Sequence, residues 1–215
     1  MRNGIPYIAA GILFFYPPLA SCSEMISAQV AADYWYPSSK LNKEPSVDDE
    51  AVSLFAAIEH EFSYLPNVKI RYSNVDSRSI DLDKYDFTFY YKLIEDESLH
   101  FNAGISASQY TDTQLIDEQN DKYSFDGWVW SLYAAGAIRI PDTAIEIIGE
   151  YDFSDRNGKK TADVLAGLEY AFDAGSTKVS LRGGYRVMDY TFTEIADREM
   201  DCLINGWFAG VKLAY

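Results

Sequence analysis

Leu203-Ile204-Asn205-Gly206-Trp207-Phe208-Ala209-Gly210-Val211-Lys212-Leu213-Ala214-Tyr215 is the last stretch of the sequence. Leu203, Trp207, Ala209, Val211, Leu213 and Tyr215 are apolar and fall on every second position, with only Asn205 breaking the set. The alternate positions, Ile204, Gly206, Phe208, Gly210, Lys212 and Ala214, are smaller and more mixed. Such a period of two is a β-strand with one greasy face. The period alone does not say whether that face looks into a core or out into lipid.

The chain has 215 residues, a length that suits one all-β domain. Its 17 Tyr, 12 Phe and 4 Trp suit rings held half in oil and half in water, as at membrane interfaces. A net charge of -15 excludes a nucleic-acid face, which needs clustered Lys and Arg. It fits an exposed acidic loop surface.

Residues 1–23 begin with Arg2, followed by an apolar stretch from Ile5 to Ala20, and read as a cleaved signal peptide, leaving 24–215 as the mature domain. Leu19-Ala20-Ser21-Cys22 also matches a lipobox, in which Cys22 would be lipidated; ordinary cleavage near Ser23 is the preferred reading. No other apolar run is long enough for a spanning helix, so any membrane insertion must be by strands. Cys202 is the only other cysteine. A Cys22–Cys202 disulfide would need the two on one side of the membrane, and the topology below separates them.

Ten alternating segments follow the leader, with turn signals between them. Their apolar faces start at Ile26, Val52, Val68, Tyr85, Leu99, Trp128, Ile145, Ala162, Val179 and Leu203. Residues 37–50 and 112–124 read as long polar loops, and 155–159 and 196–202 as further loops. Tyr64-Leu65-Pro66-Asn67, Glu95-Asp96-Glu97 and Pro141-Asp142-Thr143 read as short turns. The expected fold is therefore all-β: a closed up-and-down antiparallel transmembrane β-barrel. Ten strands are expected, with eight as the alternative.

Strands span hydrocarbon only as a closed barrel, because every backbone N–H and C=O must be paired there. Such barrels are apolar outside and polar inside, with short periplasmic turns and longer outer loops. Two aromatic girdles are expected, Tyr34, Tyr36, Tyr151, Phe153 and Tyr185 toward the loops, and Phe62, Phe101, Tyr170, Phe172 and Tyr215 toward the turns. The opposite face carries Glu59, Glu61, Lys69, Arg71, Asp86, Lys92, Arg139, Glu146, Glu150, Asp163, Glu169, Arg182, Arg186 and Lys212. In a narrow lumen these would pair, as buried charges must.

Outer-membrane barrel proteins typically finish on an aromatic residue, and their assembly machinery reads the terminal strand. Gly210, Leu213 and Tyr215 fit that signal, while Phe208 stands where a polar residue is usual. The run Ala32-Asp33-Tyr34-Trp35-Tyr36-Pro37, then Ala57-Ile58-Glu59-His60, then Leu65-Pro66-Asn67-Val68-Lys69-Ile70-Arg71-Tyr72, adds to this, as does Gly183-Gly184-Tyr185-Arg186. Together they resemble a family of small Gram-negative outer-membrane β-barrel proteins without an assigned activity. The resemblance implies fold and location and supplies no catalytic residue.

Barrel enzymes of this size, the proteases, acyltransferases and lipid A deacylases, resemble one another in placing a histidine or carboxylate site near the outer rim. His60 and His100 both fall near short turns, so no catalytic residue is expected. Lys69, Arg71, Arg139, Arg182 and Arg186 could line an anion pore, but interleaved with carboxylates they read as a plug of ion pairs. The acidic loop residues Asp48, Asp49, Glu50, Asp117, Glu118, Asp121, Glu199 and Asp201 match no calcium-loop spacing, so neither metal nor cofactor is expected. The sequence points to a monomer with a structural or surface-interaction role. Its expected partners are outer-membrane lipid, lipopolysaccharide and the assembly machinery. A narrow channel is the alternative; a lipocalin-like soluble barrel and a barrel enzyme are further ones.

Overall fold

The computed structural model describes residues 26–215 apart from 42–43, 47–49, 78–79, 117–120, 157 and 196–197, and the side chains of 41–50 and 193–199 are likewise outside the description. Among the described residues, ten long strands form the barrel. They are β1 (Ile26–Leu41), β2 (Glu50–His60), β3 (Asn67–Asp76), β4 (Ile80–Glu95) and β5 (Leu99–Ile116). The second half comprises β6 (Gly127–Arg139), β7 (Ile145–Arg156), β8 (Lys159–Ala174), β9 (Thr177–Ile195) and β10 (Arg198–Ala214). Short strands at Glu44–Ser46 and Lys122–Tyr123 pair onto β1 and β5. Each long strand pairs antiparallel with the next, and β10 closes onto β1 from Gln29↔Ala214 to Leu41↔Cys202. Reciprocal backbone bonds of 2.9 Å between Ala28 and Tyr215 fasten the lower end of that closure. No helix of the described residues is long and apolar enough to cross a membrane.

Ten strands are therefore present, not eight, and the ten apolar faces lie on the outside. Leu132 and Trp207 are 68% and 69% exposed there, while Lys69, Arg71, Asp86, Asp163 and Arg186 are buried inside. Tyr34–Tyr36, Tyr151–Phe153 and Tyr185–Trp207 ring contacts lie toward the loop end, and Tyr170–Phe172 and His60–Phe62 toward the turn end.

The stretches expected as long loops depart most from expectation. Residues 37–41 continue β1, 112–116 continue β5, and 198–202 open β10, each with ladder partners. These extensions invert the alternation. Ile80, Leu82, Met188, Tyr190, Phe192, Cys202 and Ile204 are buried inside, while Asp81, Asp83, Asp189, Thr191 and Asp201 face out. Hydrocarbon favours an apolar outside, and water a polar one. The change of sign therefore marks the level at which the barrel leaves the lipid. Above it the wall is built like that of a water-exposed barrel, closed around its own apolar core.

Asp112 explains why β5 reads as broken. Its φ of 51° and the register jump between Asp81↔Gln114 and Asp83↔Thr111 make a β-bulge. The bulge moves the inward set from Ser106, Ser108 and Tyr110 to Thr113 and Leu115. Glu61, expected inside, stands exposed in the turn after β2.

The orientation makes one test direct. Leu168 is half exposed on the lipid face near the middle of β8, whereas Tyr64 is 95% exposed in a turn. Leu168→Arg should cost about 2–4 kcal/mol of stability in lipid vesicles. Tyr64→Arg should change it by no more than about 0.5 kcal/mol, both read by reversible denaturant unfolding.

Candidate functional site: the filled lumen

Inward positions stack into levels along the barrel axis. At the turn end lies an open vestibule of about 310 Å³. Its wall carries Lys92 between Glu59 (3.3 Å) and Glu95 (3.1 Å), Arg139 on Glu146 (2.9 Å), and Lys212 on Glu169. Tyr90 donates its hydroxyl to Glu59 at 2.8 Å. These pairs are partly wetted and contribute little individually.

The next level closes the vestibule. Glu150 receives both Lys69 and, at 2.7 Å, Arg71. The ring of Phe55 packs among three cations, with Lys69 Nζ, Arg71 Cζ and Arg182 Cζ at 5.1, 5.7 and 5.3 Å from its centroid. Arg182 Nε lies 3.3 Å from Asp33 Oδ1, a charge contact whose alignment makes no hydrogen bond. That carboxylate sits against Gly210, where a Cβ would overlap Asp33 Oδ1 and the Ala32 carbonyl. Glycine is required there by space.

Mid-barrel, Asp163 is the hub. Arg186 grips it through both Nε (2.9 Å) and Nη2 (2.8 Å), the bidentate geometry that suits a carboxylate. Lys84 reaches Asp163 at 2.8 Å and Asp86 at 3.1 Å. Ser108 donates to Asp86 at 2.6 Å, and Arg186 Nη1 donates to Ser73 at 3.1 Å. The Arg186 guanidinium also lies 5.3 Å from the Trp35 ring centroid, which begins the apolar level above. There Tyr110 meets Tyr190 edge-on at 5.6 Å, and Phe125 meets Phe192 at 4.5 Å. Val75, Ile80, Leu82, Leu115 and Met188 complete that cluster.

Of the residues singled out from sequence, Lys69, Arg71, Glu150, Asp86 and Arg186 thus share the buried middle of the barrel, with Arg182 alongside them. Glu59, Arg139, Glu146 and Glu169 line the vestibule, whose lining Lys69, Glu150 and Arg182 also reach. Lys84, Asp33 and Asp152 also point inward and were not singled out. Lys84 directly precedes the outward Tyr85, so its direction was readable from the period of two. His60 ends β2, and its ring is occupied by the turn that follows. The Phe62 amide donates to its Nδ1, leaving Nε2–H to donate to the Pro66 carbonyl, each at 3.2 Å. His100 lines the vestibule. Among the described residues, no group of His, Cys, Asp and Glu is arranged to hold a metal ion. Asp48, Asp49, Asp117, Glu118 and Cys22 lie outside the described residues, as do the side chains of Glu50 and Glu199. Asp201 instead accepts a hydrogen bond from Thr191 at 3.0 Å, and Cys202 is buried as a free thiol in the upper core.

No protein-family model and no curated protein matches the sequence. Solved structures do match the fold. The outer-membrane protease OmpT of Escherichia coli is similar over 89% of this chain and 97% of its own, at a TM-score of 0.50 and 12% identity. The chain has the outer-membrane β-barrel fold. Also similar are the translocator domain of the autotransporter NalP from Neisseria meningitidis and Neisserial surface protein A. The first covers 90% of both chains at a TM-score of 0.47 and 9% identity. The second covers 87% of this chain and 95% of its own, at 0.38 and 14%. At such identities the likeness is one of fold, and no activity passes with it.

Removing the hub carboxylate would leave Lys84 and Arg186 buried without their shared partner. Asp163→Ala should therefore destabilise the barrel by about 3–5 kcal/mol. Arg139→Met, at the wetted rim, should cost no more than about 1 kcal/mol. Unfolding midpoints in lipid vesicles would separate the two.

Proposed function

We propose that the protein is an integral outer-membrane barrel that spans without conducting and works through its outer end, as a structural or surface-interacting element and not as an enzyme. The observation that carries this reading is the filling of the lumen at successive levels. Paired charges occupy the middle, and an apolar core with Trp35, Tyr110, Phe125, Tyr190 and Phe192 stops the outer half. Strand ends that rise above the lipid level and carry Asp81, Asp83, Asp189 and Asp201 outward give a partner an acidic, rigid surface.

Residues 1–23 then serve as a cleaved signal peptide, with lipidation at Cys22 as the alternative. The mature monomer enters the membrane through the assembly machinery, which reads the β10 strand. Lipopolysaccharide surrounds its outer half. A narrow channel remains the competing function, and conductance decides between them. Purified protein in planar bilayers should show no current steps. Steps whose selectivity changes with Arg71→Glu or Arg182→Glu would establish the channel instead. Orientation is testable on intact cells. A membrane-impermeant maleimide should label Asp121→Cys at the loop end and leave Asp96→Cys at the turn end unlabelled.

A further inference from the structure

The barrel wall has a split. Most seams pair along nearly their whole length, as β9 and β10 do from Lys178↔Ala214 to Phe192↔Met200. Between β6 and β7 the ladder runs only from Arg139↔Glu146 up to Leu132↔Phe153. Above that level Gly127–Ser131 keep partners only on β5, and Ser154–Arg156 only on β8. Two strand edges therefore face each other without a shared ladder.

A crevice of about 400 Å³ fills the split. Ile105, Trp130, Leu132 and Phe153 line it from the lipid side and Ser131 and Ser154 from the lumen side, with Asp155 and Arg156 at the end of β7. Ser154 is nine-tenths buried or more, and its Oγ has no hydrogen-bond partner among the described residues; neither does Oδ1 of Asp152, two residues before it. Unpaired backbone edges and orphaned hydroxyls are not tolerated against bare hydrocarbon. Something with both an apolar part and polar atoms fits this place.

The mouth of the crevice says which. Arg156, which lines the crevice, and Lys159 and Lys160 lie on the β7–β8 hairpin, three cations against the one carboxylate of Asp155, whose ladder partner is Lys160, in a chain whose net charge is -15. None of the three makes an ion pair with a described residue. A Cβ on Gly127 would lie 3.5 Å from Lys159 Nζ, which places that ammonium across the top of the split. Trp130, Tyr151 and Phe153 set the level at the loop-side aromatic girdle, where lipid head groups begin.

We propose that the β6–β7 seam is a lateral binding site for an acyl chain of a phosphorylated outer-leaflet lipid. The tail lies between Trp130, Leu132 and Phe153. The phosphate meets Arg156 and Lys159, whose charges suit it. The free backbone N–H groups of the seam and the Ser154 hydroxyl take the lipid's ester or amide oxygens. The site is independent of conduction, so a current step would overturn the function above and leave this inference standing.

The test uses the full mature chain refolded in phosphatidylcholine vesicles containing phosphatidylglycerol with a photoactivatable diazirine in its tail. After illumination, adducts are mapped by peptide mass spectrometry. They should concentrate on residues 127–132 and 153–156 and exceed severalfold those at Tyr185 and Trp207, which lie at the same girdle. Arg156→Glu with Lys159→Glu should reduce seam labelling severalfold and spare Trp207, with unchanged sheet circular dichroism. A tail-labelled phosphatidylcholine probe should label the seam less than the anionic one. Even labelling around the girdle, or seam labelling indifferent to the charge reversal, would overturn the proposal.

Discussion

A backbone amide or carbonyl in hydrocarbon has no water to turn to, and that single requirement organises this molecule. A sheet that enters lipid must leave no edge, so β10 has to find β1. The closure is continuous from Gln29↔Ala214 to Leu41↔Cys202. Once the cylinder is closed, the period of two assigns every side chain to lipid or lumen. The glycines of β10 serve the same end: Gly210 leaves room for the Asp33 carboxylate and the Ala32 backbone.

The lumen then has to solve a second problem, because ten strands enclose a space that long side chains must fill. The solution differs by depth. Where lipid lies outside, the inside is ionic, with Asp163 shared by Arg186 and Lys84, and Glu150 shared by Lys69 and Arg71. Where water lies outside, the inside is apolar, around Tyr110, Tyr190, Phe125 and Phe192. Both levels are packed with side chains, and the vestibule at the turn end is an open part of the lumen. Buried ion pairs are poor sources of net stability but costly to break singly. They hold opposite walls together, as Lys69 and Arg71 of β3 do on Glu150 of β7.

Much of this was legible in the sequence. The strand faces could be read because apolar and polar residues alternate from Val68 to Tyr72 and, with Tyr90 the one break, from Tyr85 to Leu93. The inward carboxylates and cations followed from the same parity. What escaped was the inversion above the lipid. Residues such as Asp81, Asp83, Asp189 and Asp201 look like loop, yet they are the wet face of strands whose other face is core. Lys84 was lost for that reason, since β4 starts at Ile80 and not at Tyr85. The Asp112 bulge hid the end of β5 by shifting the parity midway. The split between β6 and β7 leaves no sequence signal, because Trp128, Trp130 and Phe153 alternate as though paired.

The central claim is that the greasy face looks outward into lipid, and one comparison addresses it directly. Mature chain refolded in detergent is run on a denaturing gel, unheated and boiled, beside circular dichroism with and without detergent. The account predicts a mobility difference between the two lanes and a sheet spectrum that forms only in detergent. A chain that folds to the same spectrum and stays dispersed in detergent-free buffer would contradict it.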